Sequence, residues 1–443
     1  MKKSALSAWV VSLLFLFFYT LTAAPEELAK ILRQQLDAQV STLQKSGFSI
    51  RERVRGIKKE HFVLSFDDPA KIEAFLKSQG VAITLEDAWM LQGLQIGADI
   101  RYLPERRHIL SADLYPVTLP QYLKNATNPS DRQAVAQLEA MLRRQTFLLH
   151  LDINTMLSGF SGYLKDVNAT IEDPRGKINL LLAGIVFKGA IKEKKLHHLS
   201  WGGEEISLHA GERNALYLQD LNSTFMQTGE SPYDTRFHYT VGTVKVVNKP
   251  LFSLQAHTLQ SNLENHIRHG LMQSTLEGSI ARIKVEEGKR HRVLEKLLLN
   301  LTIDKIDIAS LEALQQTDTN DTAQIDTLVQ RLLSKNISLT LPEFSVQNMM
   351  EENLSLGGFS LNGSILLAKP LGLNQTHPDP LPLLHRLEMQ TDLTVSQRLY
   401  TFIMQDPRAM LLMMMAPPVS KKGKMYYHLG FSHGKLTING ISF

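Results

Sequence analysis

Cysteine is absent from the chain, which excludes a disulfide framework, a CxxC redox centre, a thiolate zinc site and a cysteine nucleophile. An excess of one charge is missing too. Lys and Arg number 48 against 44 Asp and Glu, a formal net charge of +4, so neither a polyanion-binding surface nor an acidic tail is indicated. No HExxH, phosphate-loop or dinucleotide-binding pattern occurs, so no motif announces a zinc protease or a nucleotide enzyme. What remains is a chain of 443 residues, 43% hydrophobic and 21% charged. That is enough apolar matter for a large core and too much for a disordered chain. Its length fits about two or three domains, or one elongated domain.

One long hydrophobic run stands apart. Lys2 and Lys3 precede an uncharged stretch of 21 residues, Ser4–Ala24, about 31 Å as a helix and close to the thickness of a bilayer's hydrocarbon. Two lysines before an apolar block also open a secretory signal peptide. Pro25 and the bulky Leu21 both disfavour cleavage near Ala23–Ala24, so an uncleaved anchor and a cleaved signal both stay open. In either case the lysines remain cytoplasmic and the residues from about Pro25 onward are exported. The expected location is the bacterial inner membrane facing the periplasm, or the periplasm itself if the segment is removed.

Beyond Pro25 the spacing of Leu28, Ile31, Leu32, Leu36, Val40 and Leu43 predicts an amphipathic helix stopped by Gly47. Two strands, Phe48–Arg55 and His61–Phe66, follow around Gly56, then a short helix from Pro69 through Leu76 and strands at Leu91–Leu103 and His108–Val117. A second clear helix runs from Ser130 through Leu142. From Phe147 onward a period of two dominates, as in Leu297, Leu299, Leu301 and Ile303 with Asn300, Thr302 and Asp304 on the other side. The same alternation marks Phe237–Val241, Phe359–Leu367, Leu387–Val395 and Tyr427–Phe431. Helices interrupt at Ala309–Gln315, Thr322–Leu333 and Ser396–Met415. Short turns between strands argue for antiparallel pairing. The expectation is a β-rich α+β protein: a large curved antiparallel sheet, sandwich- or groove-like, with a few amphipathic helices and one N-terminal hydrophobic helix. Its regions would be 1–24, 25–146 and 147–443.

Four segments carry a resemblance: Ile303–Gln316, Leu332–Val346, Leu354–Leu367 and the terminal Tyr426–Phe443, which closes with Gly434…Leu436-Thr437-Ile438-Asn439-Gly440. In layout and glycine placement the chain resembles the YdgA-like family of bacterial envelope proteins, the domain-of-unknown-function family numbered 945. The resemblance covers about Leu251–Phe443 and is faint earlier. It implies an inner-membrane-associated periplasmic protein without an assigned activity, and it carries over no functional residues. Physically, Gly434 and Gly440 would supply positive φ at tight turns, and Gly357-Gly358 a bulge.

Chemistry is sparse. His197-His198 beside Glu204-Glu205 is a poor metal site, because neighbours on a strand point to opposite faces. His385…Glu388 is a weak echo of a zinc motif. Ser161 in Gly159-Phe160-Ser161-Gly162 has Tyr163 where a nucleophile elbow needs glycine. Met404, Met410 and Met413–Met415 could hold Cu(I) or accept an apolar partner, but they read first as packing. Basic groups occur at Arg51, Arg53 and Arg55, at Arg106-Arg107-His108 and at Lys289–Arg292. At strand spacing the first three share a face and could meet anionic headgroups. No catalytic, cofactor-binding or metal-ligating residue is assigned, and a nucleic-acid partner is not expected. The leading expectation is a non-enzymatic, membrane-anchored envelope protein holding a lipid or other apolar ligand on its sheet. The alternatives are an adaptor binding another envelope protein and, third, a hydrolase without a recognisable motif.

Overall fold

The computed structural model describes residues 25–78, 83–102, 108–125, 128–156, 158–173, 176–192, 195–211, 213–317, 322–367, 386–407, 410 and 416–442. The hydrophobic segment Ser4–Ala24, Arg106-Arg107, His385 and Met413–Met415 lie outside them. Among the described residues, no helix is long and apolar enough to cross a membrane. Contacts divide the chain into two compact units, one up to Asn222 and one from Ser223.

The first unit starts with α1 (Pro25–Lys45). Leu32, Leu36, Val40 and Leu43 recur every three or four residues and are all 5% exposed or less, so they form the stripe that buries the helix against a sheet. Gly47, at φ +93, turns the chain back, and a Cβ there would come within 2.6 Å of the Asp68 carbonyl. Antiparallel pairing then runs through β1 (Phe48–Arg55), β2 (Lys59–Phe66), β3 (Gln95–Tyr102), β4 (His108–Thr118), β5 (Leu149–Asn154) and β6 (Gly159–Leu164). It continues into β9 (Val186–Lys192) and β10 (Lys195–Ala210), then β8 (Gly176–Ala183) and β7 (Val167–Asp173). The face under α1 holds Phe62, Ala98, Ile100, Leu110, Ala112, Leu151 and Ile153.

Helix α2 (Pro69–Ser78) and a six-residue α3 (Leu85–Met90) close a second apolar cluster around Phe48, Phe66 and Ile72. Sequence periodicity missed α3 because six residues are too short to show a period. Its signal was the cap: Thr84 accepts from the Asp87 N–H while the Asp87 carboxylate accepts from the Thr84 N–H. A one-turn α4 (Gln121–Lys124) and α5 (Pro129–Arg143) complete the helices here. Gln137 of α5 closes the edge of β7 by donating to the Glu172 carbonyl at 3.1 Å and accepting from its N–H at 2.7 Å.

β11 (Asn214–Gln227) spans the division between the units. The second unit is a meander of long strands: β12 (Thr235–Asn248), β13 (Phe252–Arg268), β14 (Leu271–Glu287), β15 (Arg290–Asp307), β16 (Ser338–Glu351) and β17 (Leu354–Leu367). Then come β18 (Leu387–Ser396) and β20 (Lys424–Ser432), with β19 (Val419–Lys421) and β21 (Lys435–Ile438) on the far edge of β20, and β22 (Ile441–Ser442) last. Every pair is antiparallel. His269-Gly270, Glu352-Asn353, His433-Gly434 and Asn439-Gly440 all have positive φ, the two-residue turn whose twist matches that of the strands it joins. Among the described residues, α6 (Ile308–Gln316), α7 (Thr322–Leu333) and α8 (Gln397–Ile403) interrupt the meander. Gly357, at φ +77, and Gly358 sit at a register shift between β16 and β17, where a Cβ on Gly358 would lie 1.8 Å from the Val346 carbonyl. The chain is thus β-rich and antiparallel with few helices, as the alternation requires.

Candidate functional site

Strand register in the second unit aligns apolar side chains across the whole meander. One row runs Val241, Leu259, Ile280, Leu297, Val346, Phe359, Val395 and Met425, each the cross-strand partner of the next. Another runs Ile303, Leu339, Ile365, Met389, Phe431 and Leu436. The opposite face carries rows such as Asn262, Glu277, Asn300 and Glu343. Each strand is therefore one-sided, and directly opposed partners keep the apolar surface continuous.

Among the described residues, cover over the first row comes from one helix. Helix α8 seats Leu399, Phe402 and Ile403 over Phe359, Leu393 and Val395, around a buried trio of Leu356, Val395 and Leu399. Ser396 caps α8 by accepting from the Leu399 N–H, and its hydroxyl donates to the Leu356 carbonyl at 2.6 Å. In the first row only Val346 and Val395, each 3% exposed, are fully buried. Leu259, Ile280, Leu297, Phe359 and Met425 remain half-buried. Large side chains that a covering layer would bury thus keep part of their surface in water, an unfavourable state of about 25 cal/mol per Å².

In the first unit the face away from α1 bears a polar row on successive strands: His61, Asp99, Asp113, His150 and Tyr163. His61 Nδ1 lies 2.8 Å from Asp99, which also accepts from the Tyr115 hydroxyl at 2.9 Å. Burial and the neighbouring Asp99 carboxylate push the Tyr115 phenol up to about 12. His150 sits between two carboxylates, Nδ1 at 2.6 Å from Asp113 and Nε2 at 3.1 Å from Asp152, and stacks on Tyr163. Arg101 donates to Asp113 at 2.9 Å. The row pairs acids with bases and orients an imidazole. Among the described residues, no group of three His, Asp or Glu side chains converges as metal ligands. Sequence reasoning missed this row because its members come from five strands. Alternation marks each as outward-facing, but only register brings them together.

Ser161 lies mid-strand in β6, opposite Asp152 and Lys188, and not at the strand-to-helix turn that exposes a nucleophile. The neighbouring Gly162 and, on β9, Gly189 have packing roles instead. Gly162 faces Phe187 and Gly189 faces Phe160, and a Cβ on either would lie 2.5 Å or less from the opposing ring. His197-His198 falls on β10, with a register irregularity between Leu196 and His198.

The three arginines of β1 do not share a face. Glu52, at φ +53, makes a bulge between Arg51 and Val54. Arg51 then stays with Ser49 on the outer face, while Arg53 and Arg55 turn toward α1. There Arg53, 19% exposed, bonds Glu60 and Asp37, and Arg55 also pairs with Asp37. Glu60 is 5% exposed and accepts from the Tyr102 hydroxyl at 2.9 Å. Burial, with Glu60 beside it, raises the Tyr102 phenol well above its ordinary value. Against burial, which lowers it, Glu60 and Asp37 hold the Arg53 guanidinium above its usual range. These arginines tie α1 to the sheet. In the second unit, Arg292 pairs with Glu351 at 2.8 Å.

Comparison with family models, with curated proteins and with solved structures returned no match to this chain.

Proposed function

We propose that this chain is a non-enzymatic protein anchored in the bacterial inner membrane by Ser4–Ala24, exposed to the periplasm, and that it holds a lipid or other apolar ligand against the second unit's sheet. The YdgA-like resemblance belongs to the same proposal. The observation that supports it is the unbroken apolar row from Val241 to Met425, largely half-buried, on which α8 is seated over Phe359 and Val395. Curvature of the sheet into a groove would let an acyl chain lie across the rows. Each methylene taken from water contributes about 0.8 kcal/mol, so about ten would contribute about 8 kcal/mol before ordering costs. Such binding needs no polar constellation, consistent with the sparse chemistry of the sequence.

Native mass spectrometry of the full chain, extracted in mild detergent, tests this reading. Lipid adducts are expected on the unaltered protein and are lost in a Leu297→Glu, Leu361→Glu double variant. A folded protein with no adduct, and with one dominant protein crosslink at this face, would favour the adaptor instead.

A further inference from the structure

The largest exposures of big apolar side chains in the first unit are at loop tips: Ile57 is 88% exposed and Met156 79%. Both tips are at one end of the sheet. Ile57 tops the β1–β2 turn, where the Gly56 N–H donates to the Lys59 carbonyl and the Tyr102 N–H to the Lys58 carbonyl. Tyr102 is opposite Leu110 and Leu110 opposite Ile153, so the β5–β6 turn bearing Met156 emerges at the same level. Gly159 is opposite Ala190, which brings the ends of β9 and β10, with Lys192 and Lys195, to this end as well. Lys58, Lys59, Lys192 and Lys195 are all exposed.

Helix α1 begins at that end. Its stripe runs antiparallel to β1, and Arg33 donates to the Gly56 carbonyl at 3.1 Å. Only the eight residues Pro25–Leu32 separate Arg33, at the level of Gly56, from the hydrophobic segment, about 12 Å of helix. The turn at Ile57 extends past Gly56 into that distance. The headgroup layer itself is about 5–8 Å deep on each side of the hydrocarbon.

We propose that this end of the first unit's sheet rests in the headgroup layer of an anionic bilayer, with Ile57 and Met156 as its apolar tips and the four lysines set against the headgroups. The placement rests on Ser4–Ala24 being a membrane anchor, because the anchor brings the tips to the surface. Isolated apolar tips ringed by lysines suit an interface that is apolar beneath and negatively charged above. Trp89 and Tyr122 are also exposed, at 55% and 50%. They stand near the other end of α1, where Gly93 bonds Phe66 and Gln121 bonds Gln92, and so provide an internal control.

The chain has no cysteine, so single sites can be labelled without removing a native thiol. Spin labels at Ile57→Cys, Met156→Cys and Trp89→Cys in the full chain, reconstituted into phosphatidylethanolamine–phosphatidylglycerol vesicles, are probed with a water-soluble nickel relaxant. The two tips are expected to be shielded at least threefold relative to position 89. Lys58→Glu with Lys59→Glu should cut the tips' membrane occupancy about fivefold or more, and the effect should vanish in phosphatidylcholine. A chain that floats with the vesicles while both tips stay as accessible as position 89 overturns the placement and leaves the anchor standing. A chain that does not float with vesicles at all overturns the anchor and the placement together.

Discussion

At the scale of single residues, the first unit is organised by side chains that have no freedom to change. Gly162 is the clearest. A Cβ there would lie 2.1 Å from the His150 carbonyl and 2.5 Å from the Phe187 ring, and the backbone contact cannot move without breaking the β5–β6 pairing. Gly162→Val should lower the unfolding free energy by about 3 kcal/mol, the upper range for overpacking. Gly278, whose Cβ would meet nothing nearer than 3.9 Å, should accept alanine with a change below about 0.5 kcal/mol. Denaturant midpoints of the two variants check the pair. A phenylalanine two residues from a glycine reads in the sequence as an ambiguous motif. Its meaning, ring over glycine on the neighbouring strand, depends on the partner chosen by register.

Among the elements, α6 shows how a local signal becomes a pH-dependent one. Asp307 ends β15 and caps the helix, and its carboxylate accepts from both the N–H and the hydroxyl of Ser310. Burial alone would raise its pKa, but the Ser310 hydrogen bonds, with Lys335 and Arg331 nearby, hold it below the ordinary 3.8. A lowered folded value means that the stabilisation is present above the unfolded value and is lost as pH falls through the folded one. Asp307→Ala should therefore cost about 1 kcal/mol at pH 7, and the gap between variant and parent should close progressively below about pH 4. Thermal unfolding at pH 7 and pH 3 measures both. The helix itself was legible, since Ala309–Gln315 was expected and Ile308–Gln316 is observed, capped by Asp307. The helix α3 was not, because six residues offer a cap and no period.

For the whole molecule, the contrast is between the two units' parts of one large antiparallel sheet, alike in alternation and different in cover. In the first unit α1 buries its face, and Leu151 is 1% exposed. In the second, Leu299 remains half-buried within an apolar surface that continues through Phe344 and Leu361. Leu151→Gln should cost at least about 3 kcal/mol, whereas Leu299→Gln in the ligand-free protein should cost less than about 1 kcal/mol. Equal losses would mean that the second face is already packed, and the apolar-ligand reading would fall. Chemical denaturation of lipid-stripped protein decides it.

By itself the sequence determined the period of each strand, the glycine turns and the caps, because these depend on neighbours a few residues apart. It also marked the alternating strands as one-sided, since alternation is a property of the pleat, whereas β2 and β4 bury successive residues such as Val63-Leu64 and Ile109-Leu110. Tertiary structure alone decided which strand meets which and where a bulge reverses a face. That is why Arg51 parts from Arg53 and Arg55 at Glu52, and why His150 finds Asp113 thirty-seven positions away. It also decided that α1 packs on the first unit's strands and α8 on part of the second unit's. Cover is a contact between distant segments, and no pattern within a single strand encodes it.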